Sequence, residues 1–109
     1  MPGAWLVVRA VVADPDDRAA FDTWYHKEHL PDAVKAFSAG AAWRGWSSAD
    51  PSIHCAYYRF GSLDLLDAVM AGPAIKALIA EFDRCWVGRV TRTREVLAVA
   101  DEFDERRAG

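Results

Sequence analysis

Three histidines and one short aromatic run carry most of the acid–base chemistry open to this sequence. Two of the three lie in Phe21-Asp22-Thr23-Trp24-Tyr25-His26-Lys27-Glu28-His29-Leu30-Pro31-Asp32. Histidine titrates nearest neutral pH and can give or take a proton. His29 falls at the end of a predicted helix, where the dipole favours its charged form. There it could act as general acid or base, or cap the last carbonyls. Tyr25 lies four residues before His29, and His26 three before it, so on a helix the three are neighbours. Asp22, four before His26, could orient the His26 ring, or both could belong to a solvated face. The Tyr25 hydroxyl could reach a ligand, or the side chain could be a buried amphipathic core residue. His29, His26 and Tyr25 are the candidate catalytic residues.

The third histidine, His54, stands beside Cys55 in Ile53-His54-Cys55-Ala56-Tyr57-Tyr58-Arg59-Phe60. Neighbours on a strand point to opposite faces, so these two do not make a nucleophile pair; alternation groups His54 with Tyr58 instead. A metal site from His26, His29 and His54 has the right atoms but no fixed geometry, and neither a metal nor a cofactor is expected. The two cysteines, Cys55 and Cys85, lack CxxC spacing, so no disulfide framework is expected. Arg92 and Arg94 share a face of the last predicted strand, and Arg44 and Arg59 could join them. Such a cluster suits a carboxylate, or else it guards a sheet edge against aggregation. Trp24, Trp43, Trp46 and Tyr58 offer flat apolar contact area. With Arg92 and Arg94 they are the candidate ligand-binding residues. No glycine-rich phosphate loop, nucleophile elbow or HExxH is present, which excludes nucleotide-binding, α/β-hydrolase and zincin readings.

These side chains need a scaffold, and 109 residues with 52% hydrophobic content supply one domain, residues 1–109. A formal charge of −3 argues against nucleic acid and against a polybasic membrane surface. No apolar run is long enough to span a bilayer and no signal peptide is evident, so the expected location is cytoplasmic. Residues 4–13 read as a strand apolar on both faces. Asp14-Pro15 starts a helix running to about His29; Pro31 predicts a break, with a helical turn over Asp32–Phe37. Strands follow over 41–48 and 53–61, joined by a turn at 49–52. Ser62 caps a second helix that Gly72-Pro73 interrupts, Gly88 stops it, and 89–100 form the last strand. Residues 101–109 are expected to fray. The order β-α-β-β-α-β predicts an α+β, ferredoxin-like fold: a four-stranded antiparallel sheet with two helices on one face. The other face keeps large apolar side chains, which predicts a homodimer.

The Trp-Tyr-x-x-x-His-x-Pro spacing of Trp24 to Pro31, with Tyr57-Tyr58-Arg59-Phe60-Gly61-Ser62 leading into the second helix, resembles the EthD-like families of the dimeric α/β-barrel superfamily. The resemblance covers residues 4–100. It implies two sheets closing into a barrel, with a pocket between each sheet and its helices or at the barrel mouth, and it matches His29 to the families' helix histidine. Relatives include lactone isomerases, polyketide cyclases and small monooxygenases. The expected activity is therefore cofactor-free proton transfer on an aromatic, lactone or polyketide-like molecule. The alternative is a non-catalytic dimer that binds an apolar small molecule, for example alongside an oxygenase system.

Overall fold

A computed structural model describes residues 3–103. The elements are β1 (Ala4–Val12), α1 (Pro15–Trp24), a π-helical turn (Tyr25–His29), α2 (Leu30–Phe37), β2 (Ala41–Trp46), β3 (Ile53–Phe60), α3 (Leu63–Ala71), α4 (Pro73–Trp86) and β4 (Val90–Ala98). The strands form one antiparallel sheet in the order β2-β3-β1-β4, the ferredoxin-like arrangement. Of the tail expected to fray, residues 101–103 are irregular and exposed, and 104–109 lie outside the described residues. No helix among the described residues is long and apolar enough to cross a membrane.

Local chemistry explains the boundaries. The Asp14 carboxylate accepts from the Asp16 N–H and Pro15 takes the first helical position, where a missing N–H removes nothing. Ser62 caps α3 through the Leu65 N–H. Gly72 is extended (φ −89°, ψ 174°), so the second helix is split into α3 and α4 and Pro73 restarts it. Gly88, with φ +78°, turns the chain out of α4 toward β4 in a region that favours glycine.

The first helix departs from expectation. The chain does not break before Pro31: His29 (φ −70°, ψ −45°) and Leu30 (φ −63°, ψ −49°) stay helical, and α2 continues to Phe37. In a continuous α-helix the Pro31 ring would strike the Lys27 carbonyl. One wide turn avoids the clash, with the Leu30 N–H donating to the Tyr25 carbonyl five residues back. The proline therefore widens the helix where it was expected to end it.

Side-chain alternation settles which sheet face is covered. Ala4, Leu6, Ala10 and Val12 on β1, and His54, Ala56, Tyr58 and Phe60 on β3, are buried beneath the helices. Their odd-numbered neighbours, including Trp5, Val7, Val11, Cys55 and Tyr57, face the other way, where no second layer of helices lies among the described residues. There Trp5 meets Trp43 edge-on at 5.1 Å and Tyr57 at 6.3 Å between ring centroids.

Phe21 ties the helices to the sheet. It is fully buried, and its ring lies 5.2–6.0 Å from those of Trp24, Tyr25, Trp46, His54, Phe82 and Trp86. Phe21→Ala leaves a cavity among six rings. It is expected to cost about 3–5 kcal/mol of stability, read from denaturant unfolding.

Candidate functional site

A cleft opens between the sheet and the helices. Its floor is Leu6, Val8 and Tyr58; Phe37, Ile75, Leu78, Ile79 and Phe82 form the helical wall; His29, Arg92 and Arg94 supply the polar atoms. Its cavity volume is ≈ 30 Å³. The helices cover β1 and β3 but stop short of β4, where Arg94, Val96 and Ala98 remain exposed. The cleft therefore widens toward that edge.

The π-turn aims His29. Residues five apart on an α-helix stand about 140° apart and cannot stack. Across the wide turn Trp24 and His29 do stack, 4.7 Å between centroids and 23° between planes. The edge of Tyr25 lies 4.9 Å away and Phe82 5.7 Å away. The helix continues past His29, so the ring neither caps a C-terminus nor meets the dipole charge expected there. Its Nδ1 is buried with no hydrogen-bond partner among the described residues. Burial, and then the Arg92 guanidinium, push its pKa down to about 4, while Asp32 and Glu81 oppose the shift. The imidazole is thus neutral at pH 7, a proton acceptor in apolar surroundings.

The two arginines differ. Arg92 lies flat over Phe82, 3.9 Å from its centroid, and donates to Asp83 at 3.1 Å. Burial and the Arg94 charge lower its pKa. Arg94, next inward-facing residue on β4, is exposed and makes no ion pair among the described residues.

Behind the cleft lies a partly buried polar network. The hydroxyls of Tyr25 and Tyr58 are hydrogen-bonded at 2.8 Å, and desolvation pushes the Tyr58 pKa up to about 12. Asp22 Oδ1 accepts from Arg44 Nη1 and from Trp46 Nε1, each at 2.8 Å, and these bonds hold its pKa below the usual carboxylate range. Arg44 also reaches His54 Nε2 at 3.4 Å. His54 is buried, and desolvation pushes its pKa down to about 4. The network clamps α1 onto β2 and β3.

Of the candidate residues, His29, Tyr58, Arg92 and Arg94 meet at the cleft. Tyr25 stands one hydrogen bond behind, through Tyr58. Trp24 supports the His29 ring, and Trp46 serves the Asp22 network. Four expectations need correcting. His26 is exposed and Asp22 holds Arg44 and Trp46, because β2 approaches α1 there. Trp43 is 59% exposed on the opposite sheet face. Arg59 also faces that side, bound to Glu102 at 2.6 Å, so it does not join Arg92 and Arg94. Arg44 shares their face but sits on β2, at the far edge of the sheet. Among the described residues no His, Cys, Asp or Glu cluster could hold a metal ion, so the three histidines do not converge. The apolar lining went unassigned in the sequence because Ile75, Leu78, Ile79 and Phe82 read simply as the core stripe of a helix.

The pKa values fix a pH response. A histidine depressed from 6.5 to about 4 leaves the unfolded chain binding more protons between those values. Stability should be flat above pH 7 and fall as pH drops from 6.5 toward 4. The charges facing the two rings are Arg92, Asp32 and Glu81 for His29, and Arg44 and Asp22 for His54. Asp22 is lost only at lower pH, since its pKa is itself lowered. Thermal melts across this range should show the decline, and His29→Gln should make it shallower.

No family model matches this sequence, and no curated protein matches it. Solved structures do share its fold. A point variant of SnoaB, a cofactor-independent oxygenase from Streptomyces nogalater, superposes with TM-score 0.68 at 11% identity, over 96% of this chain and 100% of that one. An EthD family protein from Bacillus halodurans C-125 gives 0.62 at 17% identity, over 84% and 96%. A candidate antibiotic biosynthesis monooxygenase from Deinococcus radiodurans gives 0.65 at 11%, over 92% and 96%. The chain shares the fold of these proteins, the α+β, ferredoxin-like arrangement that its resemblance to the EthD-like families implied.

Proposed function

We propose that the cleft binds a small, largely apolar molecule and that His29 takes a proton from it without help from a cofactor. One observation carries this reading: a neutral imidazole with an unpartnered buried nitrogen stands in an apolar cleft beside a guanidinium. Deprotonating a C–H or phenolic O–H acid there leaves an enolate or phenolate, whose charge faces Arg92 and Arg94. The same anion raises the basicity of His29, so base and product stabilise each other. Reprotonation at another carbon gives isomerisation, and attack within the molecule gives cyclisation. Transfer of electrons from the anion to O₂, a co-substrate the reaction would require, gives oxygenation. SnoaB, with the same fold, is a cofactor-independent oxygenase, which favours the monooxygenase type for this chain.

The reading also assigns a partner. No helix among the described residues covers the apolar face bearing Trp5, Val7, Trp43 and Tyr57, and a second copy offers the same surface by two-fold symmetry. A Trp43→Glu variant should shift sedimentation from dimer to monomer at micromolar concentration; a wild-type protein that sediments as a folded monomer contradicts the assignment.

The acid–base claim is tested with a weak carbon acid. Phenylacetone in D₂O should gain deuterium at its benzylic carbon faster with the protein than without, followed by proton NMR. His29→Gln should lose about 10²- to 10⁴-fold of that rate while melting near the wild type at pH 7. Equal exchange in the variant removes His29 as the base.

A further inference from the structure

We infer that the natural ligand is a carboxylic acid, held by its carboxylate on Arg94 at the open edge of the cleft, with its apolar body lying inward along β1. The inference rests on the cleft being the ligand site proposed above and names the class of molecule it takes.

The first argument is charge. Two guanidinium groups line the cleft and no carboxylate does. Arg92 has its counterion in Asp83, which reaches it from α4 at 3.1 Å. Arg94 has none among the described residues, although it stands two positions from a like charge whose effect lowers the Arg92 pKa. His29 cannot add negative charge, and its neutral form is the one that burial and Arg92 favour. The cleft therefore carries one uncompensated positive charge at its mouth, which a monoanion would balance. An arginine is suited to the task, because its planar fork matches a carboxylate with two parallel hydrogen bonds.

The second argument is register. Across the inward face of the sheet Arg94 pairs with Val8, Val96 with Leu6, and Leu6 with Tyr58. Below and inward of Arg94 the surface is thus apolar, continuing to Phe37 and Ile75. In the other direction Arg92 follows about 7 Å along the strand, with His29 above it. A carboxylate on Arg94 lets a hydrocarbon or aryl group fill the apolar end. It also leaves a carbon near the acid group within the reach of His29 and Arg92. The two arginines then divide the work: Arg94 holds the charge that the ligand brings, and Arg92 faces the charge that forms when His29 takes a proton.

Phenylacetate and phenylacetamide test this, since they match in shape and differ in charge. Binding is read by calorimetry and by tryptophan fluorescence. Phenylacetate should bind at least about tenfold more tightly, the worth of one charge-assisted hydrogen bond in a partly exposed site. Arg94→Gln should erase the difference by weakening the acid alone, and Arg94→Lys should restore part of it. Lys76→Gln, which removes one positive charge from α4 outside the cleft, should leave the preference intact. Equal binding of acid and amide to the wild type overturns the inference, and so does a preference that survives Arg94→Gln. Failure of the proton-transfer reading looks different: the acid preference and its loss in Arg94→Gln persist, but the protein does not accelerate deuterium exchange. The reverse result, exchange of a neutral ketone with no phenylacetate binding at millimolar concentration, overturns the carboxylate inference and leaves the base in place.

Discussion

A sheet has two faces and four strands here, and this chain supplies one layer of helices that covers one face and not all of its width. The central strands β1 and β3 take that cover, so their inward residues form the core. The inner side of β4 is left partly open, and the cleft exists because of that shortfall. The opposite face receives no helix among the described residues, and Trp5, Trp43 and Tyr57 gather there. Ligand site and proposed dimer face follow from the same geometric constraint, one at the edge of the covered side and one across the uncovered side.

Within that frame a single wide helical turn decides which side chain reaches the cleft. Pro31 cannot sit in an ordinary α-turn, and the extra residue taken up between Tyr25 and His29 brings Trp24 and His29 face to face. The stack holds the imidazole in an apolar wall formed with Phe82, and burial there, followed by the cleft's own arginine, keeps it neutral. On the other side of Tyr25, the Asp22–Arg44–Trp46 bonds lock α1 to β2. The π-turn is thus fixed at both ends, by a polar clamp before it and by the buried Ala33 and Phe37 of α2 after it.

Much of the fold was legible in the sequence because its signals are local. Asp14-Pro15, Ser62 and Gly72-Pro73 mark helix boundaries through chemistry confined to a few residues. The two-sided apolar pattern of residues 4–12 identified a central strand, and the arginines of residues 92 and 94 identified an edge. Pro31 misled because steric conflict has two remedies, a break or a wider turn, and tertiary packing chose the second. The parity of each strand was legible but its direction was not: nothing local tells whether odd or even residues meet the helices, and Trp43 and Trp46, of opposite parity, were therefore both offered as ligand contacts. Asp22 was misassigned for a related reason. Helical spacing offered His26 as its partner, while the stronger partners, Arg44 and Trp46, arrive from a strand some twenty residues later. His29, Tyr58, Arg92 and Arg94, which meet at the cleft, were singled out because residue type and alternation agreed with the topology. The apolar lining was not, since cleft and core use the same side chains.

The account turns on one ring, His29: neutral, unpartnered and electrically coupled to whatever occupies the cleft. Its titration can be followed directly by NMR of the imidazole carbon-bound protons, with and without phenylacetate. The account predicts a pKa of about 4 in the free protein and a higher value when the anion is bound, because a carboxylate nearby favours imidazolium. A ring that titrates near the ordinary histidine value of about 6.5, and does not respond to the ligand, would contradict it.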